Sequence, residues 1–447
     1  MTQLASLLTH VFFRHVEVEG ADNLPARGPL VVLANHSNGL VDGLLLMTTL
    51  RRYPRFLGKS TLFRILPLRP FLKLAGVVPV YRRSDASAGH DGRDGLDPER
   101  NEASFRTSRE LLARGGVVAV FPEGVSHNEP ELQPLRTGAA RIALSAADEG
   151  TVTVATVAVG LVYDAKATFR SRALVRVGPP SPVAPWLSDY RDDPRDTVRR
   201  LTDDMATQLH GVVSTYRSWQ EAEVLAGIAD LVVAPVGRAP SGTPDEDPPT
   251  LADRDRVAAR LATLDLDATP GGAAMVDAYQ AYRRDLVLMG LTDAQVTARY
   301  GWRCQRALAW SLFKVAAALP PGVVGAVVHA VPYQVVKAAA KLPRNESIRS
   351  TVKLVGCFFL FSAEYLVIAE VVRRRRGVVA GACALVAAPL SGYAALRLSE
   401  RVKSAGGLIE GGRIVGSRRT QLPTVLAHRA EVVRLARTVV GGTTSTE

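Results

Sequence analysis

His36 and Asp42 are two side chains whose types and spacing could do chemistry. They lie in the stretch NHSNGLVD, which covers residues 35–42. A histidine with a carboxylate in reach can act as a general base, because the carboxylate fixes the imidazole tautomer and stabilises the imidazolium that forms. The other interpretation is that Asp42 caps a helix and His36 only fills a loop.

The segments on either side of this stretch predict the elements that position it. The apolar run PLVVLA at residues 29–34 follows Pro25 and Gly28, which predicts a buried strand. The run GLLLM at residues 43–47 predicts a helix. His36 and Asp42 therefore bracket a strand-to-helix loop, a place where α/β sheets commonly bind ligands.

Two further predicted strands end in polar residues. The run GVVPVYRR at residues 76–83 places Arg82 at the exit of a strand, and a guanidinium there can bind a phosphate bidentately. Lys59 ends a strongly basic stretch and is a secondary candidate for the same role. The run GVVAVF at residues 116–121 predicts a buried strand that ends in a turn at Glu123 and Gly124.

Composition limits the class of protein and of partner. The chain has 447 residues, more than one hydrophobic core usually holds, and its net charge of +12 favours anionic partners such as phosphate esters, lipid headgroups or nucleic acid. The three cysteines are widely spaced, which predicts neither a disulfide framework nor a cysteine-based zinc site and suits a reducing compartment. The N-terminus has no basic region typical of a secretory signal.

Strands and helices alternate through about residue 180, which predicts an α/β sheet, and the rest of the chain is predominantly helical by its periodicity. We therefore predict six segments: an amphipathic N-terminal helix at 1–15, an α/β domain at 16–234, a linker at 235–250, a helical region at 251–345, a membrane hairpin at 346–404 and a tail at 405–447.

The predicted hairpin consists of two apolar runs of 19 residues, Leu354–Val372 and Val378–Leu396. Each is close to the roughly 20 residues that a helix needs to cross a hydrocarbon core. Arg373–Arg376 separate the runs, and the outer flanks are basic as well, so the distribution of positive charge gives no orientation.

Four blocks in order resemble the glycerolipid acyltransferase superfamily, which acylates glycerol-3-phosphate and lysophosphatidic acid. They are the His36 to Asp42 stretch, residues 76–82, FPEG at residues 121–124 and VAVGL at residues 157–161. Five residues separate His36 from Asp42 where the family usually has four, and Ala158 stands where proline is usual. The longer spacing resembles the branch of yeast-type glycerol-3-phosphate/dihydroxyacetone-phosphate acyltransferases.

The resemblance implies a fold and a set of roles. The fold would be a mixed sheet flanked by helices, as in glycerol-3-phosphate acyltransferases, followed by a mostly helical region with an apolar hairpin. His36 would be the base and Asp42 would orient it. Arg82, Gly124 and Lys59 would contact the substrate, and Glu123 would accept a hydrogen bond from glycerol hydroxyls or anchor the arginine.

The resemblance also implies the partners and the location. An acyl group would pass from acyl-CoA or acyl carrier protein to a hydroxyl of glycerol-3-phosphate, or of dihydroxyacetone phosphate, in phospholipid biosynthesis. No cofactor is expected, and the histidines show no metal-ligand spacing. We expect a protein that associates with membrane lipids, with its active site facing the cytoplasm.

Two other functions stay open at this point. The acceptor could instead be 1-acylglycerol-3-phosphate, with phosphatidic acid as the product. Outside this class, the basic surface and the hairpin could serve a non-catalytic membrane-binding scaffold, although a scaffold does not need His36, Asp42 and Glu123. A nucleic-acid binder is not expected, because aromatic residues make up only 6% of the chain and no helix-turn-helix is evident.

Overall fold

A computed structural model describes residues 2–64, 68–80, 98–150, 153–166, 168–234, 250–297, 302–343, 346–417 and 420–442. The chain forms two compact units. Unit one consists of Met1–Thr215 and Ala340–Val355, and unit two consists of Tyr216–Ala339 and Gly356–Glu447. Unit one therefore includes a short segment from far along the sequence.

Unit one contains a seven-stranded sheet. Its strands are β1 (Phe13–Glu19), β2 (Leu30–Ala34), β3 (Pro54–Lys59), β4 (Val78–Val80), β5 (Val117–Val120), β6 (Ala155–Tyr163) and β7 (Ser171–Pro182). The spatial order is β1-β7-β6-β2-β5-β3-β4. Every neighbouring pair is parallel except β6 and β7, which are antiparallel. The predicted mixed α/β sheet is confirmed.

Helices cover both faces of this sheet. They are α1 (Thr2–Phe12), α2 (Leu40–Thr49), α3 (Arg69–Leu74), α4 (Pro98–Ala113), α5 (Gly138–Glu149), α6 (Leu187–Asp192) and α7 (Pro194–His210). Strand β2 supplies both cores, because successive side chains of a strand point to opposite faces. Leu30 and Val32 pack in the cluster that contains α2, whereas Val31 and Leu33 pack in the cluster that contains α5 and α7.

The parallel strands bring their carboxyl ends to one edge of the sheet. Strands β2, β5, β3 and β4 are neighbours in that order and run in the same direction. The loop that carries His36, the turn at Glu123 and the residue Lys59 therefore share this edge. Arg82 and Arg83 follow β4 and lie outside the described residues.

Unit two is helical throughout the residues that the structure describes. Its helices are α8 (Trp219–Val233), α9 (Leu251–Ala262), α10 (Gly272–Met289), α11 (Asp293–Thr297), α12 (Trp302–Val328), α13 (Ala330–Ala339), α14 (Glu346–Arg376), α15 (Val378–Ser417) and α16 (Leu422–Gly442), of which α14 begins in unit one. The predicted helical C-terminal region is confirmed. The predicted linker at 235–250 lies outside the described residues except for residue 250, and the domain boundaries stay predictions.

Three helices among the described residues are long and apolar enough to cross a membrane: Leu308–Val328, Arg349–Arg376 and Val378–Ser417. The last two contain the predicted apolar runs. The first was not predicted from the sequence, because Lys314, Pro320 and Pro321 interrupt its apolar run. Most of their residues are not buried inside the protein, which suits contact with lipid.

A buried polar cluster joins three of these helical segments. His329, between α12 and α13, contacts the carboxylate of Glu364 with Nδ1 at 2.6 Å. Its Nε2 lies 3.0 Å from the carbonyl oxygen of Ala388 and 3.0 Å from the hydroxyl of Ser391. The carbonyl oxygen can only accept, so Nε2 carries a proton. Hydrogen-bonded polar side chains of this kind hold apolar helices together.

Gly160 of β6 tests the packing of the sheet against the chain that follows α7. A Cβ atom built there would lie 2.0 Å from the carbonyl oxygen of Val212, which is backbone and cannot yield cheaply. We expect Gly160→Ala to lower the free energy of unfolding by about 1–3 kcal/mol through overpacking. Denaturant unfolding followed by circular dichroism measures it.

Gly138, at the start of α5, is the matched control, because nothing lies within 4 Å of a Cβ built there. Gly138→Ala should leave stability unchanged or raise it by up to about 1 kcal/mol. Equal effects of the two substitutions would contradict the packing of β6 described above.

Candidate active site

The structure brings the rings and carboxylates of the predicted site together. His36 Nδ1 lies 2.9 Å from Asp42 Oδ2. The His36 side chain is 20% exposed, whereas the Asp42 side chain is fully buried. Since Nδ1 is engaged by the carboxylate, the other ring nitrogen, Nε2, is the one left to meet a substrate. The described part of the chain offers Nε2 no hydrogen-bond partner.

Asp42 also stabilises the start of a helix, which is the other role that the sequence allows it. Helix α2 begins at Leu40 with Gly39 as its N-cap, so Asp42 lies in the first turn. Its Oδ2 accepts a hydrogen bond from the backbone N–H of Asn38 at 2.8 Å. A carboxylate in the first turn that reaches back to a preceding N–H stabilises a helix start. The same side chain thus fixes both the helix start and His36.

Tyr163 completes the contacts of Asp42 and was not predicted from the sequence. Its hydroxyl donates to Asp42 Oδ1 at 2.5 Å. Burial raises the pKa of Tyr163 well above its ordinary value, and the neighbouring Asp42 charge raises it further, so the phenol keeps its proton. The available signal was a tyrosine at the end of an apolar strand, since a buried tyrosine hydroxyl usually finds a partner.

Glu123 holds the backbone of His36. Its side chain is fully buried, and Oε1 accepts from the His36 backbone N–H at 2.8 Å. Its Oε2 accepts from the Gln133 N–H at 2.9 Å and from the ring of His127. The His127 backbone N–H in turn donates to the His36 carbonyl oxygen at 3.2 Å. Glu123 therefore connects the loop after β2 to the loop after β5.

The charge of Glu123 is stabilised by these donors. Burial by itself would raise the pKa of Glu123, but the hydrogen bonds from His127, Gln133 and His36 outweigh burial and hold the pKa below its ordinary value. The Glu123 carboxylate therefore stays ionised at every pH above the ordinary pKa of a glutamate. His127 lies in the loop after β5, and its contact with Glu123 four residues earlier helps to order this loop.

The ring of His36 is also held by an aromatic side chain. It stacks on Phe121, with ring centroids 4.1 Å apart and planes at 16°. Phe121 stacks in turn on Phe56, with centroids 6.2 Å apart. A stacked ring restricts the rotation of the imidazole, so Phe121 and Asp42 together fix the orientation of the His36 ring.

The remaining predicted site residues fall in different places. Gly124 has a φ of +78°, a conformation that favours glycine, in the turn where its N–H donates to the Phe121 carbonyl oxygen at 3.0 Å. Lys59 ends β3 at the same sheet edge. The substrate contacts of Arg82, Glu123, Gly124 and Lys59 stay predictions. Within the described residues, no group of three or more His, Cys, Asp or Glu side chains could hold a metal ion.

Comparison with known proteins identifies this part of the chain. The acyltransferase family model matches residues 15–160, which include most of β1, the His36 and Asp42 loop, the Glu123 turn and most of β6. This segment is an acyltransferase domain. The resemblance to the glycerolipid acyltransferases is thereby confirmed. The first and third blocks fall within described residues of the matched range, and the fourth ends one residue beyond it.

Several curated proteins are similar to this chain. Glycerol-3-phosphate O-acyltransferase 2 of Saccharomyces cerevisiae is 28% identical over 47% of this chain and 41% of its own length. Glycerol-3-phosphate O-acyltransferase 1 of the same yeast is 34% identical over 27% of this chain and 17% of its own length. The chloroplastic 1-acyl-sn-glycerol-3-phosphate acyltransferase BAT2 of Brassica napus is 29% identical over 31% of this chain and 36% of its own length.

The chain spans less than half the length of each of these relatives. Among solved structures, the 1-acyl-sn-glycerophosphate acyltransferase PlsC of Thermotoga maritima aligns with a TM-score of 0.31 and 20% sequence identity, over 46% of this chain and 78% of that chain.

The hydrogen bonds to Glu123 predict how the stability of the acyltransferase domain depends on pH. Because its folded pKa is lowered, Glu123 stabilises the fold above its ordinary pKa of about 4.5, and this contribution is lost as the pH falls through the folded pKa. At pH 7, Glu123→Gln should cost about 1–3 kcal/mol, because three donors lose a charged acceptor.

Thermal unfolding of wild type and Glu123→Gln at pH 7 and below pH 4 measures this effect. The difference between the two should shrink at the lower pH. Glu129→Gln, in the same loop and exposed, should follow wild type at both pH values. A difference for Glu123→Gln that stays constant with pH would contradict the assignment of an ionised, hydrogen-bonded Glu123.

Proposed function

We propose that this protein transfers a fatty acyl group from a thioester, acyl-CoA or acyl carrier protein, to a hydroxyl of glycerol-3-phosphate. One observation supports the proposal above all others: His36 is held by Asp42 through Nδ1, with Nε2 left for a substrate proton. This is the arrangement of a general base and its orienting carboxylate. The names of the two yeast relatives support glycerol-3-phosphate as the acceptor.

The chemistry follows from this arrangement. Nε2 of His36 removes the proton of the acceptor hydroxyl as its oxygen attacks the thioester carbonyl carbon. The tetrahedral intermediate then collapses, the carbon–sulfur bond breaks, and the imidazolium returns the proton to the departing thiolate. Asp42 stabilises the imidazolium in between. Glu123 and Phe121 keep the ring and backbone of His36 in place throughout.

The acceptor's phosphate is proposed to meet the cationic residues at the sheet edge. Arg82 follows β4 in the sequence and is the first candidate, and Lys59 at the end of β3 is the second. A guanidinium matches a phosphate with two parallel hydrogen bonds, which a lysine cannot do. The Glu123 carboxylate accepts hydrogen bonds from protein donors. This supports the proposal that Glu123 stabilises the site and does not bind the glycerol.

We further propose that the protein is anchored in a membrane with its active site on the cytoplasmic side. The three apolar helices support the membrane location. The acyl donors we propose are soluble thioesters, which supports the cytoplasmic orientation. A product with a long acyl chain would then be released next to lipid.

A second acceptor is 1-acylglycerol-3-phosphate, which the name of the Brassica relative favours. A third candidate function is a non-catalytic membrane scaffold. Acceptor profiling separates them: purified protein in detergent is given labelled acyl-CoA with each acceptor. Acylation of glycerol-3-phosphate supports the main proposal, acylation of the monoacyl acceptor alone supports the second, and no acylation of any acceptor supports the scaffold.

His36→Ala should abolish transfer and leave the fold intact, because the side chain lies in a loop at the end of β2. Loss of the general base should lower kcat by roughly 10²–10⁴-fold. Labelled acyl transfer with the preferred acceptor measures it, and a circular dichroism spectrum confirms folding. Near-wild-type turnover by the folded variant would rule out the catalytic assignment of His36.

Arg82 gives a separate test of the phosphate assignment. An ion pair with phosphate contributes about 1.5–3 kcal/mol, so Arg82→Ala should raise the KM for the acceptor by roughly one to two decades and leave the donor KM nearly unchanged. Arg82→Lys keeps the charge without the fork and should be intermediate. A defect confined to the donor KM would assign this arginine to the other substrate.

A further inference from the structure

The start of α2 is completed by a side chain from a distant part of unit one. The N-terminal amides of a helix have no acceptor within the helix and need one from outside. Gly39, the N-cap residue, has no side chain to offer. Instead the Leu40 N–H donates to the hydroxyl oxygen of Thr351 at 3.3 Å, across 311 positions of sequence. Thr351 thus does the work of a capping residue.

The residue before Thr351 holds the same loop by a second route. Ser350 is fully buried, and its hydroxyl donates to the carbonyl oxygen of Lys166 at 3.0 Å. The side-chain amide of Asn38, which is fully buried as well, donates to that same carbonyl oxygen at 3.1 Å. The backbone N–H of Asn38 is a donor to Asp42. A short path of contacts therefore runs from Ser350 to the carboxylate beside His36.

We propose that Ser350 and Thr351 are positioning residues of the active site. Their role is to fix the loop between β2 and α2, so that Asp42 stays in register with the His36 ring. The inference rests on the proposed function, since it assigns these hydroxyls to the same reaction. Neither residue touches the reacting groups. They act through the Leu40 amide and through Asn38.

Ser350 and Thr351 lie at the start of a candidate membrane helix. Both lie in the first turns of α14, and the candidate membrane span Arg349–Arg376 includes them. Leu354, one turn further along, packs against the core cluster that contains α2. The segment Ala340–Val355 therefore belongs to the same compact unit as the sheet.

The test compares Ser350→Ala, Thr351→Val and the double variant with wild type, each as full-length protein in detergent. A misplaced catalytic loop costs up to about 10²-fold in rate, so kcat of the double variant should fall by roughly 10- to 100-fold while both KM values change less than about twofold. Thr351→Ser keeps the acceptor oxygen and should restore nearly wild-type kcat. Ser362→Ala, further along the same helix, is the matched control and should leave kcat unchanged.

Hydrogen–deuterium exchange gives a readout that does not need activity. The peptide that contains Leu40 should exchange faster in Thr351→Val and in the double variant, because the amide loses its acceptor, while peptides from β6 and β7 stay protected. This measurement also separates a local change from general unfolding. Faster exchange everywhere would assign the two hydroxyls to overall stability and overturn a positioning role.

The inference and the proposed function fail in different ways. If His36→Ala is inactive and the double variant keeps wild-type kcat and wild-type exchange at Leu40, the positioning role is wrong and the proposed function stands. A rise in either KM with kcat unchanged would also overturn it, because the residues would then act on substrate binding. If His36→Ala remains active, the proposed function fails, whereas the exchange result still decides whether Thr351 holds α2.

Discussion

The buried carboxylate of Asp42 is the constraint around which this candidate active site is built. An ionised carboxylate taken out of water is destabilised by several kcal/mol unless hydrogen-bond donors surround it. Its donors here are the His36 ring, the Asn38 backbone and the Tyr163 hydroxyl, which come from a loop and from the neighbouring strand β6. They converge only because β2 and β6 pair side by side and in parallel. The strand order therefore supplies the hydrogen-bond donors that the buried Asp42 carboxylate needs.

A second buried carboxylate completes the arrangement from the other side. Asp42 holds the ring of His36, whereas Glu123 holds its backbone N–H. Glu123 comes from the loop after β5, which is the other neighbour of β2 in the sheet. His36 is thus fixed by two carboxylates, one from the helix that follows its own loop and one from the loop after a neighbouring strand, so the proposed reaction would need little reorganisation of the imidazole.

The sequence was most informative where function depends on neighbours in the chain. His36, Asp42 and Glu123 could be found because a strand end, a turn and a helix start each have a local pattern. Tyr163 and Thr351 could not be found in this way. Their contacts with the loop span 121 and 311 positions, and only strand pairing and the return of Ala340–Val355 bring them together. The apolar helix at Leu308–Val328 was missed because it contains two prolines, which in a sequence usually indicate the end of a helix.

The division of unit one into Met1–Thr215 and Ala340–Val355 also bears on the order in which the protein is made. The ribosome adds all of Tyr216–Ala339 between these two parts, which at about 5–20 residues per second takes roughly 6–25 s. During that interval the sheet has emerged, but the Leu40 amide still lacks the Thr351 hydroxyl. The nascent chain therefore waits for the first turns of its own apolar helix before the loop between β2 and α2 is complete, so synthesis of that helix and completion of the candidate site coincide.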